Sequence, residues 1–305
     1  HLSIRRQRQM CIRDRFETVR YNTKLSFIPS ERNLVSVIRN IDQSYRSAES
    51  DVLFNYIFEW GEAKDSYTAE HPKRLSFTDN IEYINDGGND LVRLINENKM
   101  IPAYYASSGV QSAMPLDVMV DYFTGLVGKN ASVSKHDLAN TLARYLGKDK
   151  ELTNEMLKSI SNKMKYQSVQ LFIEEPEQNL YPDSQRNLTI NLVCALKQAM
   201  PKGRGDSMLV MTTHSPYILS TLNVLIAEAY AMDAKPKSDK LRNIVNKECL
   251  FPLSAYSAYY IQEDGKFADI IDKDITMISG NELDGVSDWV DDKIARINAV
   301  LYGED

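Results

Sequence analysis

Two carboxylates and one histidine follow short apolar runs in the second half of the chain. Glu174 and Glu175 come directly after the run Val169–Ile173, and His214 comes shortly after the run Met208–Met211. Each run has the length of a buried parallel strand, and ligands sit at the carboxyl ends of such strands. This combination suits nucleotide hydrolysis, in which one carboxylate holds Mg²⁺, the other polarises water and an imidazole contacts the γ-phosphate.

A third segment, Ala106–Ser112, is typical of a phosphate contact at the start of a helix. Its serines are followed by Gly109, and the apolar residues beyond them recur at helical spacing, which predicts a helix beginning near Gly109. The free N–H groups and the dipole at a helix start attract phosphate, and glycine lets the backbone approach it closely.

These segments together resemble the second half of an ABC-type ATPase of the RecF, overcoming-lysogenization-defect and chromosome-maintenance kind. The resemblance implies that Leu171–Glu175 is the Walker B strand, with Glu174 as the Mg²⁺ ligand and Glu175 as the catalytic glutamate. It also implies that Asn179 belongs to the D-loop that contacts nucleotide and that His214 is the switch histidine.

The resemblance further assigns Ala106–Ser112 to the signature loop. The residues implied to bind nucleotide there are Ser107, Ser108, Gly109 and Gln111, whereas Val110 replaces the second glycine of the family pattern. In such ATPases two protomers close head to tail around ATP. The implied partner is therefore a second copy of the chain, with ATP and Mg²⁺ as cofactors.

The fold class implied is α/β, the C-terminal part of a P-loop NTPase with a mainly parallel sheet flanked by helices, plus a helical subdomain. Residues 16–165 are expected to hold part of the ATPase core and the helical subdomain with the signature loop. Residues 166–305 are expected to hold the rest of the core. There a hairpin is predicted from Ala255–Ile261 and Lys266–Ile271, followed by a final helix from about Gly285 to Leu301.

The amino-terminal segment His1–Arg15 is anomalous because it holds five arginines. A basic arm or a targeting peptide is one interpretation. The segment also resembles translated sequencing-adapter read-through, so we expect the natural protein to begin near Phe16. The sequence contains no Gly-x₄-Gly-Lys-Ser/Thr phosphate-binding loop, which predicts that a Walker A segment belongs upstream.

Composition favours a cytoplasmic protein. The three cysteines are an odd number without metal-type spacing, and no apolar run approaches the length of a membrane span. The net charge of −6 gives no overall basic footprint for nucleic acid, although a local basic groove is compatible with it.

Two other motifs were weighed as sites. Asp272-Lys273-Asp274 has the acidic spacing of a metal-dependent nuclease, but too few residues follow it for that domain. Relatives of this ATPase group often carry a Pro-x-Glu-Arg stretch like Pro29–Arg32, to which the sequence assigns no role. A surface pair of Glu31 and Arg32 is an equally good interpretation.

The leading hypothesis is a cytoplasmic ATPase that works on DNA or on a partner nuclease in genome maintenance or phage defence. An ATP-gated scaffold, possessing only incidental turnover, is the alternative. A transporter subunit is disfavoured because 63 positions separate Gln111 from Glu174, whereas transporter subunits run almost directly from signature helix to Walker B.

We expect the chain as printed neither to bind nor to hydrolyse ATP, because the loop that cradles the phosphates and its lysine are missing from the sequence. Restoring an upstream segment in place of His1–Arg15 should bring back both activities. Calorimetric titration tests this expectation, and micromolar ATP affinity of the printed chain would contradict it.

Overall fold

The computed structural model describes residues 22–38, 41, 51–129, 165–202, 206–280, 290 and 292–297. The strands are β1 (Thr23–Ile28), β2 (Lys73–Arg74), β3 (Ile81–Asp86), β4 (Asn89–Leu94), β5 (Lys99–Pro102), β6 (Ser168–Glu174), β7 (Met208–Thr212), β8 (Tyr259–Ile261), β9 (Phe267–Asp269), β10 (Ile271–Asp272) and β11 (Met277–Ile278). The α-helices whose bounds lie within these ranges are α1 (Leu34–Val37), α2 (Val52–Lys64), α3 (Ser108–Leu126), α4 (Pro182–Ala199), α5 (Pro216–Ala234) and α6 (Asp239–Ile244).

Two predictions fall on residues that the structure does not describe. The proposed leader, residues 1–15, lies outside the described residues, and so does most of the predicted final helix. Among the helices of the described ranges, none is both long and apolar enough to cross a membrane.

A three-stranded parallel sheet, in the order β1-β6-β7, carries the predicted Walker B strand at its centre. The register pairs Ile28 with Ile173 and Glu174 with Thr212, so the three strands end at one edge. The central strand is apolar and buried at Val169, Leu171 and Ile173, and these side chains share one core with residues of α3 and α4. This arrangement confirms the predicted α/β class with a parallel sheet flanked by helices.

The segment before α3 differs from the expected helical subdomain. It contains the helix α2, but also a four-stranded antiparallel sheet in the order β2-β3-β4-β5. The sequence Asp86-Gly87-Gly88-Asn89 predicts a turn. The structure has this turn between β3 and β4, and Gly87 and Gly88 both have positive φ there. A two-residue turn of this kind joins antiparallel strands, so the turn was the available signal for this sheet.

The helix α3 is buried along most of its length and shares one apolar core with residues of the parallel sheet and of the antiparallel sheet. Its Asp117 is fully buried and accepts hydrogen bonds from the Ser76 N–H and from Asn191 Nδ2 in α4. Burial raises the pKa of the Asp117 carboxyl, and the nearby Lys73 ammonium opposes this shift. These contacts fix the signature helix against both neighbouring parts of the fold.

The carboxyl-terminal part of the described chain packs around a second apolar cluster that includes Val193, Ile218 and Ile278. The predicted hairpin is confirmed as β8 and β9, with Gly265 in the turn at φ 79°. Cys194 in α4 and Cys249 lie against each other, with 4.4 Å between their Cα atoms, a proximity that the sequence did not predict.

Candidate active site

The carboxylate pair lies where the sequence placed it. Glu174 is the last residue of β6, and Glu175 follows with a φ of 42°, while its N–H donates to the Thr212 carbonyl oxygen at 2.9 Å. A non-glycine residue in this left-handed region costs on the order of 1–3 kcal/mol and persists only where its surroundings hold it. The strained backbone of Glu175 must therefore be held in place by contacts with its surroundings.

The surroundings that hold this turn include Arg32, which the sequence left without a role. The Arg32 side chain is buried, with 0% exposure, and donates to the carbonyl oxygens of Glu174 and Glu175, each at 2.7 Å. The surface-pair interpretation is therefore wrong for Arg32, while Glu31 is exposed and accepts from the Ser30 hydroxyl. Sequence reasoning missed the buried state because all these partners are distant in the chain.

The electrostatics of the turn are those of one buried cation beside several carboxylates. Burial lowers the pKa of the Arg32 guanidinium. The Tyr56 hydroxyl and the carboxylates of Glu177, Glu175 and Glu174 act in the opposite direction. The Coulomb attraction of these carboxylates therefore favours the charged form of the guanidinium.

A third carboxylate, Glu177, was missed by the sequence analysis. Its Oε1 accepts from the Thr213 hydroxyl at 2.8 Å and from the His214 N–H at 2.7 Å. Its Oε2 is buried and has no hydrogen-bond partner among the described residues. Glu177 therefore connects the turn after β6 to the backbone of the predicted switch histidine. His214 itself is exposed. The only sequence signal was its position two residues after the carboxylate pair.

The predicted signature loop forms the start of α3. Ser107 is the N-cap residue, and its hydroxyl accepts from the Val110 N–H at 3.4 Å, so the helix begins at Ser108, close to the predicted Gly109. Ser107 and Ser108 are exposed. Gln111 instead turns back into its own loop and donates to the Tyr104 carbonyl oxygen at 2.9 Å.

The predicted signature loop and the predicted D-loop meet in a cleft of about 470 Å³, called here the signature cleft, which is lined in part by Ser107, Ser108, Gly109 and Asn179. Asn179 has a φ of 59°, and its Nδ2 donates to the Ser112 hydroxyl at 2.9 Å. A Cβ at Gly109 would lie 2.7 Å from the Asn179 carbonyl oxygen. Gly109 is thus required for close approach to the chain's own backbone, whereas the sequence reasoning invoked approach to a ligand.

The structure divides the predicted site residues into two groups. One group lies at the carboxyl edge of the parallel sheet and consists of Glu174, Glu175 and the backbone of His214. The other group lines the signature cleft, and none of the first three residues does so. The bridge between the groups is Arg32, whose Nε donates to the Ser112 carbonyl oxygen in α3 at 2.8 Å.

The donor set at the sheet edge fits Mg²⁺. One Glu174 oxygen, Oε2, accepts from the Ser30 N–H at 3.2 Å. Mg²⁺ in nucleotide sites takes one or two carboxylates and completes its shell with water and phosphate oxygens. Within the described ranges no group of three or more His, Cys, Asp and Glu side chains forms an all-protein metal cage. Glu174 is the residue that would hold the ion.

The close approach at Gly109 yields a prediction that needs no ligand. Gly109→Ala should lower the free energy of unfolding by about 1–3 kcal/mol, because the new methyl group would overlap the Asn179 carbonyl oxygen. Gly125→Ala in the same helix is the matched control, since the nearest atom to its Cβ is Lys129 Nζ at 3.9 Å. Urea denaturation measures both. Equal effects of the two substitutions would contradict the close approach.

Comparison with known proteins agrees with this geometry. The AAA ATPase domain family matches residues 6–219, a span that includes α3, β6, β7 and the His214 loop. No curated protein and no solved structure shows significant similarity to the chain. Since the matched span is well over half of the 305 residues, the chain belongs to the AAA ATPase domain family, a family of P-loop ATPases.

Proposed function

We propose that the protein is an ABC-type ATPase that binds ATP with Mg²⁺ and hydrolyses it as a head-to-tail homodimer closes and reopens. The observation that carries this proposal is the pair Glu174 and Glu175 at the carboxyl end of the central parallel strand, with Glu175 held at positive φ. Family membership supports ATP binding and hydrolysis in general.

The residues at the sheet edge divide the chemistry between them. Glu174 would hold Mg²⁺, and the bound ion would neutralise charge on the phosphate oxygens. The Glu175 carboxylate accepts a hydrogen bond from the attacking water, so the water oxygen is oriented and made more nucleophilic. As this oxygen bonds to the γ-phosphorus, the bond from that phosphorus to the bridging oxygen of ADP breaks, and the products are ADP, inorganic phosphate and the proton that the water gives up. His214 contacts the γ-phosphate, and Glu177 positions its backbone.

The separation of the two residue groups supports the dimer. Because the cleft of Ser107, Ser108, Gly109 and Asn179 is lined by none of the catalytic residues, we assign it to ATP held by the partner protomer. The exposed serines and the N–H groups at the start of α3 suit a γ-phosphate. Gln111 stabilises this loop through the hydrogen bond that it donates to the Tyr104 carbonyl oxygen.

The work done with ATP is proposed from the resemblance described above. We propose a cytoplasmic protein that acts on DNA or on a partner nuclease in genome maintenance or phage defence. An ATP-gated scaffold would share the binding site and the dimer but would not depend on turnover.

Replacement of Glu175 tests the catalytic assignment. The assay protein is this chain with a phosphate-binding segment of the family joined to its amino end, because the sequence contains no such loop. Glu175→Gln should lower steady-state phosphate release about 10²–10⁴-fold, because an amide cannot polarise water, while ATP binding persists. Glu263→Gln, at an exposed residue of the hairpin turn, is the control and should behave as the parent.

The same variant reports on the dimer. With ATP, Glu175→Gln should accumulate as a dimer in sedimentation, and adding Ser108→Arg should return it to the monomer by blocking the signature cleft. Phosphate release by Glu175→Gln within a few-fold of the parent would refute the catalytic role. A dimer that persists with Ser108→Arg would refute the head-to-tail arrangement, and ATP-dependent dimers in a parent without turnover would favour the scaffold.

Replacement of Glu177 tests the link to the switch histidine. Glu177→Ala should slow turnover about as much as His214→Ala, because both remove the ordered contact, and the double variant should be no slower. Glu177→Gln is the matched control, since its amide oxygen still accepts from Thr213 and His214, and it should keep most activity. Additive losses in the double variant would show that Glu177 acts elsewhere.

A further inference from the structure

Arg32 is the buried charge at this site to which the proposed chemistry gives no task. It lies in the 3₁₀ turn Ser30–Asn33, which continues from β1 at the edge where the parallel strands end. We propose that Arg32 is a positioning residue that fixes the peptide groups of Glu174 and Glu175 and joins them to the signature helix. Its catalytic consequence depends on the proposed ATPase function.

Among the described residues, the hydrogen bonds of the Arg32 side chain all go to backbone carbonyl oxygens. Nη1 donates to Glu174 at 2.7 Å and to Pro29 at 3.2 Å, Nη2 donates to Glu175 at 2.7 Å, and Nε donates to Ser112 at 2.8 Å. A side chain that only neutralised the nearby carboxylates would bond to their oxygens. This guanidinium instead bonds to the main chain. The orientation of the main chain determines the directions in which the side chains of Glu174 and Glu175 point.

Glu175 needs such a restraint because its backbone is strained. Its N–H is held by Thr212, and its carbonyl oxygen is held by Arg32, so both of its peptide groups are fixed. Without the second bond, a residue at φ 42° can relax toward the favoured regions with negative φ. Such a rotation would move the carboxylate away from the water, and small misplacements of a catalytic group cost large factors in rate.

The shape of the side chain explains why arginine stands here. The planar guanidinium directs N–H groups along several fixed directions and can therefore serve Glu174, Glu175 and Ser112 together. A lysine ammonium is a single point charge and cannot replace contacts that are spread along the fork. Arg32→Lys is thus a substitution that keeps the charge and loses the geometry.

The backbone of Arg32 is itself held by a hydrogen bond from α2. The hydroxyl of Tyr56, a fully buried residue of α2, donates to the Arg32 carbonyl oxygen at 2.7 Å. On the far side, Ser112 accepts from Arg32 with its carbonyl oxygen and from Asn179 with its hydroxyl. The carboxylate turn, the D-loop and the signature helix therefore share one hydrogen-bonded junction.

Amide hydrogen exchange of the printed chain tests the positioning role without ATP. Arg32→Lys should speed exchange at least tenfold in residues 174–178 and 110–114, and leave the hairpin of residues 81–94 unchanged. Arg74→Lys is the matched control, because Arg74 also donates to a carbonyl oxygen, that of Asp79, but at an exposed position. Lys24→Met breaks a buried ion pair with Glu59 and controls for general destabilisation.

Turnover of the assay protein tests the catalytic consequence. Arg32→Lys should lower kcat at least tenfold and leave KM for MgATP within about twofold, because the carboxylate is displaced while the phosphate-binding segment is intact. Arg32→Lys combined with Glu175→Gln should be no slower than Glu175→Gln alone, since both act through one carboxylate. Arg74→Lys and Lys24→Met should keep the parental kcat at temperatures where they are folded.

Three results would overturn the proposal: unchanged exchange at residues 174–178, equal acceleration in the 81–94 hairpin, or a further loss in the double variant. If Arg32→Lys does not fold, the Nε–H of Arg32 in the parent chain carries the test: its exchange with solvent should be slow because the Ser112 carbonyl oxygen accepts from it in a buried setting, and exchange as fast as that of exposed Arg74 would contradict the proposal. A parent without turnover would contradict the proposed function, whereas the exchange result would still decide whether Arg32 holds this backbone.

Discussion

The structure of the site depends on one buried guanidinium whose hydrogen bonds must be satisfied. Arg32 takes its acceptors from its own turn, from the end of the central strand and from the signature helix. Leaving a buried charge without partners is costly, so these three segments are constrained to stay together. Because Arg32 bonds to the backbone of both glutamates and to that of Ser112 in α3, it fixes the position of the two carboxylates relative to this helix.

Departures from regular geometry concentrate around the same junction. Glu175 and Asn179 both have positive φ, and Gly109 allows a backbone approach that any Cβ would prevent. Such strain persists at functional sites because the surrounding contacts over-determine it. Here the contacts are hydrogen bonds to Thr212 and Arg32 at Glu175, and to Ser112 at Asn179.

Local patterns predicted the parts of the fold that local chemistry determines. The apolar runs of β6 and β7, the serine cap of α3 and the glycine turns of both hairpins were visible in the sequence. Arg32 was not, because its partners Ser112 and Glu174 lie 80 and 142 positions away. Glu177 escaped for the same reason, since its bond to His214 spans 37 positions. The antiparallel sheet was missed because its strands are short, and the segment around their turn was assigned as a whole to a helical subdomain.

The most direct test of the account is a structure of the assay protein with Mg²⁺ and a nucleotide analogue that mimics the transition state of γ-phosphate transfer. The account predicts Glu174 on the ion, Glu175 within hydrogen-bond distance of the attacking water, and His214 beside the γ-phosphate of the same protomer. It predicts the N–H groups at Ser108 and Gly109 from the partner protomer on that phosphate. A nucleotide contacted by the signature loop of its own protomer, or bound away from Glu174 and Glu175, would contradict it.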